Sequence, residues 1–375
     1  MPMNAARLAA VAVVALNVLT ACAVHSRSDA ASSAPNDAPL EQRMGGSFRV
    51  LRTLPLGVTA VPPGHVLGDS FFIYCVNGEL FRVNRALGSI AWRKDIRYPL
   101  DGRPTRDGDG GLFAMSGGNL IVLDEKSGAL LNRRRVNMGP FDFTVFPADD
   151  GLVYAGADSS IHLIDSTTGF DKYLPVRIDA NPLSVDSSSR SLIQMSLDDC
   201  TVAAYFSNTG QQAWRTSIGR KPYAPIGVFG PILLVGGADF NLYCFHSATG
   251  VINWKVPIGG MAMQRPMLSK GRVFLVTHSG ELYCAKAEDG LLVWKQPAKN
   301  CERFLTADDK YVIYLRSPKT LVLADAATGA ELGSTAPLAY EFILASPEDG
   351  FVCLADLATT LTWVGPKPPA VEPAK

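Results

Sequence analysis

Cysteine gives this 375-residue chain its widest choice of side-chain chemistry: acylation, metal binding, disulfide formation or nucleophilic catalysis. No two of the seven cysteines are closer than 17 residues, and they are Cys22, Cys75, Cys200, Cys244, Cys284, Cys301 and Cys353. Metal and redox motifs commonly place two cysteines two residues apart, so this spacing excludes a local Cys-x-x-Cys site. Most of the six that follow Cys22 fall within apolar runs, where a free cysteine packs as a small core residue. Disulfides in an oxidising compartment are the alternative, and the sequence does not choose a pairing.

Acidic residues and histidines give no clearer sign of catalysis. Residues 107–111, Asp-Gly-Asp-Gly-Gly, look like half of a calcium loop, but the later glutamate ligand is missing and a similar Asp-Gly turn recurs at 150–151 and 349–350. The motifs Gly-x-Ser-x-Gly and His-Glu-x-x-His and the phosphate-binding loop are absent. We therefore predict that the protein is not an enzyme and has no catalytic residues, no metal and no cofactor.

A glycine that recurs about every 40 residues organises the chain. Successive spacings are 40, 41, 41, 40, 40 and 39 residues, and the copies are Gly88, Gly128, Gly169, Gly210, Gly250, Gly290 and Gly329. The apolar runs around each glycine are too short for helices and are rich in β-branched and aromatic residues. A period near 40 with this pattern is typical of four-stranded propeller blades, so we predict an all-β propeller.

Large aromatic residues follow the glycines at a fixed distance. Four copies carry a tryptophan four positions after the glycine, namely Trp92, Trp214, Trp254 and Trp294, whereas the other three have Asn132, Tyr173 and Gly333 there. We interpret the tryptophans as side chains that pack between neighbouring blades.

The two ends of the repeat region complement each other. Residues 47–54 resemble the outermost strand of a blade without the three strands that should precede it, and residues 351–354 and 360–363 resemble middle strands without an outer strand. If both fragments share one sheet, the N-terminal strand joins the C-terminal blade and closes a ring of eight blades over residues 47–365. Residues 366–375, with four prolines, are then a tail outside the ring.

The first 46 residues have a different composition. A basic start, an apolar stretch of about 14 residues and the sequence Leu19-Thr20-Ala21-Cys22 look like a bacterial lipoprotein signal, which implies cleavage after residue 21 and acylation of Cys22. The alternative is an ordinary export signal with an incidental cysteine, and the stretch is short for a membrane-spanning helix. Residues 22–46 are rich in Ser, Ala, Pro and Asp, which predicts a flexible tether. In the lipoprotein sorting system that this signal resembles, Ala23 permits transfer to the outer membrane.

Charge adds one exclusion. Lys plus Arg equals Asp plus Glu at 35 each, so the sequence offers no electrostatic case for binding nucleic acid.

Two further features recur in the repeats: an Asp four residues before the glycine, at Asp124, Asp165 and Asp325, and strand ends that read Trp-Arg or Trp-Lys, at 92–93, 214–215, 254–255 and 294–295. Together with the signal that ends at Cys22, they resemble the pyrroloquinoline-quinone-like propeller repeats, and within them the outer-membrane assembly lipoproteins of the BamB family. The resemblance covers about residues 47–365 and implies a lipid-anchored, periplasm-facing scaffold at the outer membrane, with the β-barrel assembly machinery among its partners. In that family, an interblade loop with a Leu-x-Leu-Arg stretch before an Ala-Pro pair binds the insertase. The loose counterpart here runs from Ser217 to Arg220 ahead of Ala224-Pro225, so the candidate partner-binding residues are Ile218, Arg220 and Asp239.

Two other functions stay open. The propeller could bind a polysaccharide, a peptide or an unrelated envelope complex, because the same repeats occur in proteins of different function. A degenerate quinone-dependent dehydrogenase is the second alternative, although the adjacent cysteines that line the cofactor in those enzymes have no counterpart here.

Overall fold

A computed structural model describes residues 40–107, 109–136, 142–149, 151–166, 170–297, 300–356 and 359–367. The predicted signal, Cys22, residues 22–39 of the tether and residues 368–375 of the tail lie outside these ranges. Within them, none of the helices has the length and apolar character needed to cross a membrane.

Eight four-stranded antiparallel sheets make up almost all of the described chain, and a single short helix, α1 (Leu40–Arg43), precedes them. Each sheet is one blade, and its strands follow one another from the innermost to the outermost. Blade 1 contains β2 (Ala60–Leu67), β3 (Ser70–Cys75), β4 (Glu79–Asn84) and β5 (Ser89–Asp95); blade 2 contains β6 (Thr105–Arg106), β7 (Gly111–Ser116), β8 (Asn119–Asp124) and β9 (Leu130–Arg135); blade 3 contains β10 (Phe146–Ala148), β11 (Gly151–Ala155), β12 (Ser160–Ile164) and β13 (Val176–Arg177); blade 4 contains β14 (Pro182–Asp186), β15 (Leu192–Leu197), β16 (Thr201–Phe206) and β17 (Gln212–Ser217). Blade 5 contains β18 (Gly227–Phe229), β19 (Ile232–Gly236), β20 (Asn241–His246) and β21 (Ile252–Pro257); blade 6 contains β22 (Met267–Ser269), β23 (Arg272–Val276), β24 (Leu282–Lys286) and β25 (Leu292–Gln296); blade 7 contains β26 (Cys301–Ala307), β27 (Tyr311–Arg316), β28 (Thr320–Asp325) and β29 (Glu331–Ser334); blade 8 contains β30 (Phe342–Leu344), β31 (Val352–Ala355), β32 (Thr360–Pro366) and β1 (Phe48–Pro55).

Blade 8 closes the ring with strands from both ends of the chain, as the sequence predicts. Strand β1 pairs antiparallel with β32, from Phe48 opposite Pro366 to Pro55 opposite Thr360. The eight-bladed, four-stranded propeller closed by the N-terminal strand is thereby confirmed.

The middle strands are buried on both faces, which explains their continuous apolar runs. Leu233, Leu234 and Val235 on β19 are all 0% exposed. Leu233 and Val235 pack into the cluster shared with blade 4, whereas Leu234 packs into the cluster shared with blade 6. Alternate side chains of one strand thus fill two different interblade spaces.

The recurring glycine and tryptophan are two halves of one contact between blades. Each tryptophan is 7–9% exposed and donates its indole N–H to a backbone carbonyl of the next blade at 2.9–3.1 Å; the acceptors are Glu125, Ser247, Ala287 and Ala326. The ring covers the next glycine so closely that a Cβ on Gly290 would lie 2.6 Å from Trp254. Gly290 also has a φ of +73°, a conformation that glycine adopts without strain. Backbone conformation and packing therefore both require glycine at this position.

The contact between blades 8 and 1 contains the same hydrogen bond, but here the tryptophan lies on the third strand and an arginine lies on the outer strand. Trp363 on the third strand of blade 8 donates its indole N–H to the carbonyl of Arg85 in blade 1 at 2.9 Å. Arg52 on the outer strand lies where four other blades carry tryptophan, and its side chain covers Gly88. The sequence predicts that Trp363 lies on a middle strand, but it does not predict the contact of this side chain with blade 1.

The residues that flank the ring in sequence make contacts with it that the sequence does not predict. Met44 lies within the predicted tether, yet it is 2% exposed and packs in the cluster between blades 7 and 8, with Leu40 against that cluster. The backbone of Arg43 accepts a hydrogen bond from Ala336 at 2.9 Å, and Lys367 donates one to Ser47 at 2.9 Å. Leu40 and Met44 thus pack this segment against blades 7 and 8.

All six cysteines of the described part of the chain are free thiols, and five of them are buried. Burial raises the pKa of Cys75 and Cys244 to about 11, and that of Cys284 and Cys301 to about 12. Cys244 and Cys284 lie directly opposite Trp254 and Trp294 in the outer strand pairs, where a small side chain leaves room for the indole.

Candidate protein-docking surface

Loops at one end of the ring carry the predicted partner-binding residues. In an antiparallel blade, the loops between blades and the hairpins between second and third strands lie at the same end. The loop of residues 218–226 joins blades 4 and 5 and runs beside the blade 5 hairpin, with a bridge between Pro222 and Gly237. This loop and hairpin bring the neighbourhood of Ile218, Arg220 and Asp239 together.

The three predicted residues differ in accessibility. Ile218 is only 7% exposed and packs with Trp214 and Ile226 in the core, while its N–H donates to the Cys200 carbonyl at 2.9 Å. Arg220 is exposed, and its side chain has no hydrogen bond or ion pair with any described residue. Ile218 therefore holds the loop to the core, whereas Arg220 is accessible to a partner.

Asp239 is held by its own blade. Its Oδ2 accepts hydrogen bonds from Tyr243 at 2.5 Å and from Asn241 at 2.8 Å, and Lys255 lies 3.6 Å away. Partial burial opposes ionisation of Asp239, but these hydrogen bonds and the lysine charge outweigh it and hold the pKa of the carboxyl below its usual value. Tyr243 also accepts a hydrogen bond from the N–H of Gly219 at 3.0 Å. Asp239 on the hairpin is thus linked to Gly219 on the loop through the Tyr243 hydroxyl.

Phe240 is exposed at the tip of the same hairpin in a strained backbone conformation. Its φ is +63° and its side chain is 48% exposed. The equivalent hairpin position also has a positive φ in other blades: it is glycine in blades 1, 2 and 6 (Gly78, Gly118 and Gly280) and a non-glycine residue in blades 3, 4 and 7 (Ser159, Cys200 and Lys319). A bulky residue in this conformation costs free energy, on the order of 1–3 kcal/mol, and blades 3, 4 and 7 also have a non-glycine residue in this conformation.

Neighbouring loops extend the apolar area around Phe240. The Phe240 ring stacks on His278 of the blade 6 hairpin, with centroids 6.3 Å apart and an interplanar angle of 16°. Tyr223 is 69% exposed and follows Pro222 in the first loop, and Met263 is 44% exposed in the loop that pairs with the blade 6 hairpin. We define the candidate docking surface, called the docking surface below, as Arg220, Tyr223, Phe240, Met263 and His278. Aromatic residues, Met and Arg are the types enriched at protein interfaces.

Two arginines share one buried carboxylate in the central channel. Asp186 of blade 4 is 2% exposed; Arg103 before blade 2 lies 2.7 Å from its Oδ1 and Arg265 before blade 6 lies 2.5 Å from its Oδ2. The N–H of Val228 donates to the same carboxylate at 2.8 Å. Burial and the charge of Arg103 lower the pKa of His65 to about 4, which keeps this histidine neutral at pH 7. These contacts brace the innermost strands.

A second polar cluster lies in blade 3 and consists of a histidine between two carboxylates. His162 on β12 is 3% exposed, and its ring nitrogens lie 3.0 Å from Asp171 and 3.1 Å from Asp158. The ring stacks on Tyr154 at 4.8 Å. Among the residues that the structure describes, no group of three or more His, Cys, Asp or Glu could hold a metal ion.

Sequence reasoning missed most of the docking surface. The signal for Phe240 was available, because it is an aromatic residue at a hairpin position where other blades carry glycine or a smaller or polar residue. Tyr223 and Met263 have no such signal, since interblade loops differ in length and composition. Residues 218, 220 and 239 remain predictions as partner-binding positions.

Comparisons with known proteins agree with this fold. Residues 198–339 match the family model described as outer membrane protein assembly factor BamB. The outer membrane protein assembly factor BamB of Yersinia pestis is 26% identical over 104 residues, which are 25% of this chain and only 26% of that protein's length. The crystal structure of BamB from Moraxella catarrhalis superposes with a TM-score of 0.63 at 13% identity, covering 87% of this chain and 99% of that one. The computationally designed Ika8 protein superposes with a TM-score of 0.57 at 14% identity, covering 82% and 98%. The chain is therefore similar to BamB in fold around nearly the whole ring, and similar to it in sequence over part of that ring.

Proposed function

We propose that this protein is a non-catalytic, lipid-anchored scaffold on the periplasmic side of the outer membrane, and that its docking surface binds a component of the outer-membrane protein assembly machinery. The observation that carries the proposal is the position of that surface. All five of its residues lie within residues 198–339, the segment that matches the assembly-factor family.

The geometry of the surface supports docking of a protein. The docking surface presents three large side chains on segments held by backbone pairing. Phe240 lies on the blade 5 hairpin, whereas Tyr223 and Met263 lie on loops that pair with the hairpins of blades 5 and 6. Little conformational entropy is therefore lost on binding. Exposed Arg220 lies on the same loop as Tyr223 and can donate hydrogen bonds to an acidic partner. A few aromatic and arginine residues commonly contribute most of the binding free energy of an interface.

Replacing Phe240 with glycine tests the docking surface directly. We expect Phe240→Gly to reduce recovery of the assembly machinery in affinity purification from membranes by about tenfold or more, as for a hot-spot aromatic. Blades 1, 2 and 6 carry glycine at this position, so stability should stay within about 1 kcal/mol of the parent. Quantitative mass spectrometry of the captured proteins is the measurement.

A matched control lies at the other end of the ring. Leu291 is 58% exposed in a turn between third and fourth strands, and Leu291→Ala should leave recovery unchanged. If Phe240→Gly, Tyr223→Ala and Arg220→Ala all captured the machinery as the parent does, the proposed surface would be wrong.

The lipid anchor is tested separately. We expect Cys22→Ala, combined with an ordinary export signal, to release a folded propeller into the periplasmic fraction, because two or three acyl chains on Cys22 provide the stable membrane attachment. Fractionation with a high-salt wash is the measurement. A variant that still sediments wholly with membranes would show that a protein contact, not the lipid, holds it there.

A further inference from the structure

The opposite end of the ring contains a cavity at the mouth of the central channel. Its volume is about 490 Å³, and its walls come from the ends of the innermost strands and the first turns of blades 1 to 4. This size is within the usual range for small-molecule sites, roughly 300–1,000 Å³. The docking surface lies at the other end, so this cavity is a separate feature.

Three arginines are the main donors in the lining of the cavity. Arg103, Arg106 and Arg190 line it, and the single acidic residue in the lining is Asp107. Asp107 is occupied by its own turn, because its Oδ1 accepts hydrogen bonds from the N–H groups of Asp109 at 2.8 Å and Gly111 at 2.9 Å. Three serines, 187 to 189, supply the remaining polar wall of blade 4.

Each arginine is held in place by a contact that leaves most of its donors available. Arg103 bonds to Asp186 at 2.7 Å, Arg106 to Glu125 at 3.1 Å, and Arg190 to Asp109 at 3.0 Å and to the Asp107 carbonyl. Their side chains stay 36%, 37% and 39% exposed. A guanidinium has five N–H donors, so two or more on each remain for a ligand.

We propose that this cavity binds a ligand through a phosphate or carboxylate group. Guanidinium groups recognise such oxyanions with paired hydrogen bonds, and acidic partners that fix the arginines lower the ordering cost of binding. Concave walls of low dielectric strengthen the attraction relative to an open surface. The site is independent of the proposed docking function, since it uses other residues at the other end of the ring.

The test measures binding of defined anions to the full chain carrying Cys22→Ala, by isothermal titration calorimetry. The probes are inorganic phosphate, glycerol 3-phosphate and citrate, with glycerol as the uncharged comparison. We expect saturable binding of at least one anion and none of glycerol. Arg106→Gln and Arg190→Gln should each weaken binding about tenfold, the loss expected for one charge-assisted contact. Arg93→Gln removes an arginine paired with Glu79 on the outer strand of blade 1, outside the cavity, and should change nothing.

A second arm identifies the source of the oxyanion. The same chains are sedimented with vesicles of phosphatidylglycerol or of phosphatidylcholine. Arginine-dependent binding to phosphatidylglycerol vesicles alone would assign the group to a lipid headgroup, and arginine-dependent binding of the free anions would assign it to a soluble ligand. Arg103 is left unchanged because its loss would remove one of the two arginines that pair with the buried Asp186 carboxylate. Absence of binding to every probe, or equal binding by the Arg106→Gln, Arg190→Gln and parent chains with unchanged thermal melting, would overturn the proposal.

Discussion

Removal of residues 47–54 should abolish the cooperative thermal unfolding transition. This deletion takes away nearly all of β1, whose pairing with β32 spans Phe48 to Pro55 and closes the ring. It also uncovers Val364 and Leu354 in the cluster that contains Phe48, and it exposes the edge of a sheet. Circular dichroism during heating is the measurement.

A chain ending at Lys367 is the control for this deletion. It keeps every pairing of β32 with β1, including Phe48 opposite Pro366, and should melt within a few degrees of the parent. Comparable loss of melting temperature in the two shortened chains would contradict closure through β1.

Trp254→Ala should lower the free energy of unfolding by about 3–5 kcal/mol. Trp254 is 9% exposed, its N–H donates to the Ala287 carbonyl at 3.0 Å, and its ring covers Gly290 in the next blade. Truncation leaves a cavity in the interblade cluster and a carbonyl without its partner. Equilibrium unfolding in urea measures the change.

Two further variants separate the parts of this effect. Trp254→Phe keeps most of the buried ring and loses the N–H, so it should cost about 1–2 kcal/mol. Leu291→Ala changes an exposed residue of the adjoining blade and should cost less than about 0.5 kcal/mol. A loss under about 1 kcal/mol for Trp254→Ala would indicate that the indole is not a core residue.

The blades were predictable because each repeats the same physical requirement. The glycine needs a left-handed backbone and an absent Cβ, and the tryptophan of the preceding blade needs that space, so both residues recur with the period of the blade. Blade 3 departs from the pattern for a visible reason. Its outer strand β13 has only two residues, Tyr173 is 65% exposed, and Val176 covers Gly210 instead.

The docking surface was less predictable because exposure depends on tertiary packing. Ile218 and Arg220 are two residues apart in one loop, yet one is buried in the core between blades 4 and 5 and the other is exposed. The repeat does distinguish them, because Ile96 and Ile258 also follow a tryptophan by four residues and are also buried. The channel arginines were invisible in the sequence, since Arg103, Asp186 and Arg265 are separated by about 80 residues at each step and meet only when the ring is closed.

The closing blade also has a consequence for biosynthesis. Phe48 and its partner Pro366 are 318 residues apart, so the strand made first in the propeller is among the last to find its place. Contacts of such separation form slowly because a very long loop must be closed. Until the ribosome has added Trp363, the turn at Arg85 lacks the indole that covers it, however completely blades 1 to 7 have folded. Strand β1 and the turn at Arg85 therefore stay without their partners throughout synthesis. A chaperone that binds the nascent chain has its longest-lived target at this N-terminal part.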